Sequence, residues 1–134
     1  KNNYFNLIND FYDELSMIII FDFIILNTDR KAGSIILDNK NKIWAIDQAL
    51  TFNPYTRFRT VMFEFNKMKI KEKILFQIKK FIKDLETQNN LYLKLSSLIT
   101  EQEIISLIER SKLLLENKKI PTLDPYSNVP YPLI

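Results

Sequence analysis

Two carboxylates in this chain, Asp29 and Asp47, have the placement that metal-assisted phosphoryl transfer would require. Asp29 lies in the polar segment Asn27–Ser34, which follows a long apolar stretch, and Asp47 comes directly after two short Ile-rich runs. One carboxylate can accept the proton of an attacking hydroxyl group, and the other can hold Mg²⁺ on the phosphates of a nucleotide. The elements between the two residues must then bring them together.

The residue types that the chain lacks narrow the possible chemistry. Its 134 residues include no histidine and no cysteine. This excludes imidazole bases, thiolate nucleophiles, disulfides and His- or Cys-ligated metals within the chain. The single glycine, Gly33, cannot form a Gly-rich loop around a phosphate. Any catalysis must therefore use carboxylates, lysine, tyrosine, hydroxyl groups or a hard metal ion.

Composition and charge indicate one globular domain, or one lobe of a larger domain. The net charge is only +3, and the lysines between Lys67 and Lys83 alternate with acidic and apolar residues. This pattern is typical of a solvated helix face, so we expect no nucleic-acid partner. The apolar run Met17–Leu26 contains Asp22 and is too short to span a bilayer. We also expect a cytoplasmic protein, because no signal peptide precedes the fold.

Apolar periodicity predicts an α+β fold that is mostly helical and surrounds one buried helix. That helix is expected to be capped by Asn9 or Asp10 and to run to about Leu26, with apolar residues on nearly all faces. Further helices are predicted at about 60–65, 70–85 and 91–98, and from the capping box Thr100–Glu103 through Leu114. The Pro-rich tail, residues 118–134, is predicted to be an extended strap docked by Tyr126 and Tyr131.

Ser34–Leu37 and Lys42–Ile46 are predicted to pair as a β-hairpin, with an Asp-Asn-Lys-Asn turn between them. Neighbouring strands lie about 4.8 Å apart, so the beginning of the first strand lies beside the end of the second. The hairpin would therefore bring Asp29 and Ser34 toward Asp47.

Each of these residues also has a purely structural interpretation. Asp29 and Asp47 are of a type common in turns, and Arg30 could be a surface cation or the partner of a carboxylate. Their order favours chemistry: a helix, a loop with Asp, a hydroxyl or amide five residues later, a hairpin and a second Asp. Kinase catalytic lobes use the same order.

The two loops resemble those of the phosphatidylinositol 3-/4-kinase-like superfamily, in particular a prokaryotic branch related to HipA-type protein kinases. The run N-T-D-R-K-A-G-S at residues 27–34 is similar to the N-A-D-R-K-G-G-H loop of that branch, and I-D-Q-A-L-T-F at 46–52 to its D-H-G-x-x-F loop. Residues 58–63 resemble its L-R-T-V-L-W, and 130–132 its closing P-W-P. The resemblance implies that residues 1–134 form a kinase-like C-lobe, with an N-lobe on an upstream segment or a separate chain.

The same resemblance implies roles for five residues. Asp29 would be the catalytic Asp, and Arg30 and Lys31 would support its loop or meet phosphate charge. Asp47 would be the main ligand of Mg²⁺ or Mn²⁺ bound with ATP. Ser34 stands where the family has His or Asn, and would be a weaker metal ligand.

Three hypotheses follow from these observations. The first is the catalytic lobe of an ATP- and Mg²⁺-dependent phosphotransferase that is inactive or poorly active as this chain alone. The second is a degenerate pseudokinase that binds a nucleotide or a partner without turnover. The third is an α-rich interaction protein in which the two aspartates are turn residues. The phosphate acceptor stays open, because lipids, proteins and small molecules all serve related folds.

Overall fold

The structure, a computed structural model, describes residues 2–134. This part of the chain contains five α-helices and one small β-hairpin, joined by loops. The elements in chain order are α1 (Tyr4–Leu7), α2 (Tyr12–Ile24), β1 (Ile35–Leu37), β2 (Ile43–Ala45), α3 (Glu72–Glu86), α4 (Asn90–Ser96) and α5 (Glu101–Asn117). The prediction of a mostly helical α+β fold is confirmed. Within residues 2–134, no helix is both long and apolar enough to cross a membrane.

α2 is the apolar helix that the sequence predicts, but it begins later and one of its faces is exposed. Its N-cap is Phe11, with no side-chain hydrogen bond, so the prediction that Asn9 or Asp10 caps it is wrong. The short helix α1 precedes α2, and Asn9 and Asp10 lie in the turn between these two helices. Ile19 is fully buried, whereas Phe21 is 50% exposed. α2 is therefore not surrounded on all sides.

The predicted hairpin is present. β1 and β2 are antiparallel, and Ile36 lies opposite Trp44. The Asp38 carboxylate stabilises the turn, because it accepts hydrogen bonds from the backbone of Lys40 and Lys42 and from the Trp44 indole, each 2.9 Å long. Ser34 lies in a 3₁₀ turn before β1 rather than in the strand.

The helices of the second half follow the predicted periodicity. α3 buries the stripe formed by Leu75, Ile78, Ile82 and Leu85, and it packs against α4 and α5. The capping box of α5 is present: the Thr100 side chain accepts from the Glu103 backbone at 3.1 Å, and the Glu103 carboxylate accepts from the Thr100 backbone at 2.8 Å. The helix predicted at 60–65 is only a 3₁₀ turn over Phe63–Phe65.

The Pro-rich tail is an extended strap, but its anchors are not the predicted tyrosines. Tyr126 and Tyr131 are 92% and 84% exposed, so the prediction that they dock the tail is wrong. Ile120 and Leu123 are buried instead. Aliphatic side chains can bury completely, whereas a buried tyrosine needs a partner for its hydroxyl group.

The strap then reaches the loops near Asp29. The Thr60 backbone donates to the Asn128 carbonyl at 2.9 Å, and the Ala32 backbone donates to the Leu133 carbonyl at 2.8 Å. The tail thus contributes hydrogen bonds to the loop that follows α2.

Candidate functional site

The loops that carry Asp29 and Asp47 are joined by direct hydrogen bonds. The Arg30 guanidinium donates through Nη1 to the Ile46 carbonyl at 2.7 Å, and the Ile46 backbone donates to the Ser34 carbonyl at 2.9 Å. Arg30 follows Asp29 directly, and Ile46 directly precedes Asp47. The two carboxylates therefore belong to neighbouring loops, as the predicted hairpin requires.

A second set of hydrogen bonds closes the far end of the Asp47 loop. Thr28 donates to the Leu50 carbonyl through both its backbone, at 3.0 Å, and its hydroxyl group, at 3.2 Å. The Phe52 backbone donates to the Ile25 carbonyl at 2.6 Å. Because the Asp47 loop is held at both ends, the two loops form one structural unit.

A buried ion pair connects this unit to α2. Arg30 binds the Asp22 carboxylate in a bidentate manner, with Nε–Oδ2 at 2.7 Å and Nη2–Oδ1 at 2.9 Å, and both residues are fully buried. Asn27 extends the network, because its amide donates to Asp22 at 3.2 Å and its oxygen accepts from the Asp29 backbone at 2.9 Å. Asp22 thus fixes the position of the Asp29 loop.

The structure separates the two roles that were expected for Arg30 and Lys31. The Arg30 side chain is fully buried and donates to Asp22 and to two backbone carbonyls, so it supports the loop and presents no donor to a bound phosphate. Lys31 differs, because its Nζ lies 3.6 Å from Asp29 Oδ2 and both side chains are partly exposed, at 26% and 29%. Lys31 and Asp29 can therefore both reach a ligand.

The two candidate metal ligands differ in accessibility. Asp47 is exposed, and its carboxylate makes no hydrogen bond or ion pair within residues 2–134. Ser34 is buried, with only 6% of its surface accessible. Because a hydroxyl group is also a weaker ligand for a hard cation than a carboxylate, Asp47 is the better placed of the two.

Three of the seven non-glycine residues with a positive φ angle in the described part of the chain lie in or next to these loops. Leu26, Asp47 and Phe52 have positive φ angles of 54°, 63° and 69°. Asp tolerates this conformation, but it is rare for side chains as bulky as Leu and Phe. Leu26 has this conformation because it ends α2: the Asn27 backbone donates to the Asp22 carbonyl at 2.8 Å and the Leu26 backbone to the Phe23 carbonyl at 3.2 Å, the Schellman pattern of a helix C-terminus.

The carboxylates of Asp29 and Asp47 are of the chemical type that a cation such as Mg²⁺ prefers. Such an ion commonly takes one or two carboxylates from the protein and further oxygens from phosphate and water. Within residues 2–134, no group of three or more His, Cys, Asp or Glu side chains assembles to hold a metal. Asp29 and Asp47 could therefore contribute to a metal–nucleotide complex, but these loops do not form an all-protein metal cage.

Asp22 supports the site, although the pattern of the apolar run alone indicates only an interruption at this position. A signal for its role exists in the sequence. A carboxylate within an otherwise apolar helix needs a buried partner, and Arg30 follows at a short distance.

Comparison with known proteins gives no relative for this chain: no family model, curated protein or solved structure matches it. Membership of the phosphatidylinositol 3-/4-kinase-like superfamily therefore stays a prediction. The joined loops and their network are the basis on which a function can be proposed.

Proposed function

We propose that this chain is the catalytic lobe of an ATP- and Mg²⁺-dependent phosphotransferase of the phosphatidylinositol 3-/4-kinase-like or HipA-like type. The observation that carries this proposal is the joining of the two Asp-bearing loops through Ile46, which bonds to Arg30 and to Ser34. Phosphoryl transfer depends mainly on positioning and charge stabilisation, so carboxylates held on neighbouring, mutually bonded loops suit it.

Asp29 is the residue that would orient the acceptor and take the proton of its hydroxyl group. Its backbone is fixed by Asn27, while its carboxylate is partly exposed. Lys31 lies beside it and would meet the negative charge of the transferred phosphoryl group. The pair thus combines an acceptor of protons with a nearby cation.

Asp47 would hold the metal ion, with Ser34 as a minor ligand. Bound Mg²⁺ supplies positive charge that offsets the charge on the phosphate oxygens. The exposed Asp47 carboxylate supports this assignment, because it has no protein partner within residues 2–134 that would compete with a cation. Ser34, a largely buried residue that offers only a hydroxyl group, would add little.

The ATP-covering part of the site is proposed to lie on an N-lobe, upstream of this segment or on a separate chain. A single glycine, Gly33, cannot form a Gly-rich loop over the phosphates. We therefore expect weak nucleotide binding and little or no phosphate transfer by this chain alone. The chemical nature of the acceptor is not part of the proposal.

A pseudokinase is the second candidate function, and the burial of Ser34 favours it. Ser34 is a weak second ligand, because it offers only a hydroxyl group on a largely buried residue. A weak second ligand would limit phosphate transfer more than it limits nucleotide binding through Asp47. The chain would then bind a nucleotide or a partner without turnover.

Calorimetric titration of Mn²⁺ and ATP tests the proposal directly. We expect the native chain to bind metal-nucleotide and Asp47→Asn to lose that binding. Asp10→Asn is the matched control, because it removes an exposed carboxylate in the turn before α2 and should leave binding unchanged. Equal binding by all three proteins, or no binding at millimolar metal-nucleotide, would refute a metal–nucleotide site at Asp47.

Turnover distinguishes the two candidate functions. Phosphate release or transfer from ATP that disappears in Asp29→Asn would support the phosphotransferase. Metal-dependent binding without turnover, even when the upstream part of the protein is present, would support the pseudokinase.

A further inference from the structure

A long cleft runs along α2, next to α3 at one end and next to α4, α5 and Phe52 of the Asp47 loop at the other. It consists of three cavities of about 430, 170 and 470 Å³. Met17 and Ile20 line both the first and the second cavity, and Phe21 and Ile24 line both the second and the third. Because neighbouring cavities share these residues, the cleft is continuous along α2.

Apolar side chains line most of the cleft, and large ones are exposed to solvent. Tyr12, Met17 and Phe21 are 45%, 42% and 50% exposed, although the opposite face of α2 is buried. The third cavity has only apolar residues in its lining, including Phe81 and Leu107. A contiguous exposed apolar surface of this kind typically marks an interaction site.

One end of the cleft is positively charged. Lys69, Lys71 and Lys73 line the first cavity. Lys71 makes an exposed ion pair with Asp13 at 3.3 Å, whereas Lys69 and Lys73 have no carboxylate within 4.0 Å in the described residues. α3 begins at the same place, but Glu72 in its first turn offsets the positive end of the helix dipole, so the charge of this end rests on Lys69 and Lys73.

The backbone of the tail brings a further cation to this end. Lys119 pairs with Lys69 in an antiparallel bridge, so the tail and the segment before α3 run side by side next to the start of α3. The opposite end, at the third cavity, has no charged lining residue. The cleft is therefore asymmetric, with a cationic end and an apolar end.

We infer that this cleft is a docking site for an amphipathic helix of another protein, with acidic residues in the first turn of that helix. α2 is about 20 Å long, which matches about 13 residues of a docked helix. Apolar side chains spaced at i, i+4 and i+7 would enter the cavities, as in other helix-in-groove complexes. Acidic residues in its first turn would meet Lys69 and Lys73, and would also stabilise the docked helix itself.

The choice of occupant rests on this asymmetry of charge. A helix with lysines in its first turn would repel the cationic end, and a purely apolar segment would leave Lys69 and Lys73 partly desolvated without partners. Docking here does not depend on the metal or on Asp29, so it goes beyond the proposed phosphotransferase function.

Fluorescence anisotropy with a labelled synthetic helix tests the inference. The probe has about 14 residues, with leucines on one face and glutamates in its first turn. We expect Phe21→Asp to weaken binding at least tenfold, because it places a charge in the apolar lining. Phe76→Asp is the matched control, since Phe76 is 71% exposed and does not line the cleft.

Charge reversal tests the orientation of the docked helix. The double variant Lys69→Glu/Lys73→Glu should bind the glutamate probe at least tenfold more weakly, and should gain affinity for a probe with lysines in its first turn. Lys80→Glu, on the same helix but outside the cleft lining, should change neither affinity. Circular dichroism of each variant shows whether the fold is retained.

Three outcomes would overturn the inference: no binding of the glutamate probe, equal binding to the native chain and to Phe21→Asp, or equal binding of both probes. Concentration-dependent dimerisation of the native chain that is lost in Phe21→Asp would also overturn it, because a second copy would then occupy the cleft.

Discussion

Replacing Arg30 by methionine should destabilise the protein far more than breaking an exposed ion pair. The change leaves the Asp22 carboxylate fully buried, with the Asn27 amide at 3.2 Å as its remaining side-chain donor. Removing one partner of a buried ion pair typically costs about 3–5 kcal/mol. The free energy of unfolding of most domains is only about 5–15 kcal/mol, so leaving this carboxylate without its partner should remove a large fraction of the stability.

Urea denaturation followed by far-ultraviolet circular dichroism measures this effect. Lys112→Met is the matched control, because it breaks the pair of Lys112 with Glu86, whose side chains are 54% and 49% exposed. An exposed pair contributes about 0–1 kcal/mol, so the control should stay close to the native protein. If Arg30→Met does not fold at all, Asp22→Asn gives a milder test, since it keeps the size of the side chain and removes its charge.

If both Arg30→Met and Asp22→Asn lower the free energy of unfolding by less than about 1 kcal/mol, the reasoning is refuted, because an unpaired buried charge destabilises a protein by more than that. Such a result would mean that water reaches the pair. The Asp29 loop would then not be fixed to α2 in the way described.

Three further predictions concern other parts of the fold. Ile19→Ala removes a fully buried side chain of α2 and should cost about 2–5 kcal/mol in urea denaturation; a loss below about 0.5 kcal/mol would show that the position is peripheral. Gly33→Ala should raise the free energy of unfolding by about 0.4–1 kcal/mol, because Gly33 has no positive φ and the new methyl group would meet Ile134 Cγ2 at an ordinary 3.7 Å. A lower free energy of unfolding in this variant would contradict the prediction. The hydrogen bond from the Trp44 indole lowers the pKa of Asp38 below 3.8, so its contribution to the hairpin is present above that pH and is lost as the pH falls through the lower folded-state pKa. Trp44 fluorescence should therefore change in acid, and Asp38→Asn should remove that change.

Much of the fold can be predicted because it depends on local patterns. The capping box at Thr100 and the apolar stripe of α3 involve residues within one or two turns of a helix, so their spacing is visible in the sequence. The hairpin is similarly local, and it is the element that joins the two Asp-bearing loops. The pairing of these loops was thus within reach of sequence reasoning.

The rest could not be predicted because it depends on what surrounds each residue. Nothing local distinguishes Tyr126 from Ile120 as an anchor of the tail, and the choice depends on which side chain meets the core. The start of α2 was misplaced because α1 uses Asn3 as its cap, which leaves Asn9 in a turn. The positive φ of Leu26 likewise belongs to the C-terminal cap of α2, where the Asn27 backbone donates to the Asp22 carbonyl at 2.8 Å, and it is contrary to the preference of the residue.

The attachment of the tail to the Asp29 loop has a consequence for the order in which the protein is made. Ala32 donates to the carbonyl of Leu133, and Thr60 to that of Asn128. At a synthesis rate of about 5–20 residues per second, the tail leaves the ribosome roughly 5–20 s after the loop that it holds. During that interval the Asp29 loop lacks these hydrogen bonds, so a nascent chain that already contains both aspartates should still have an incompletely ordered site.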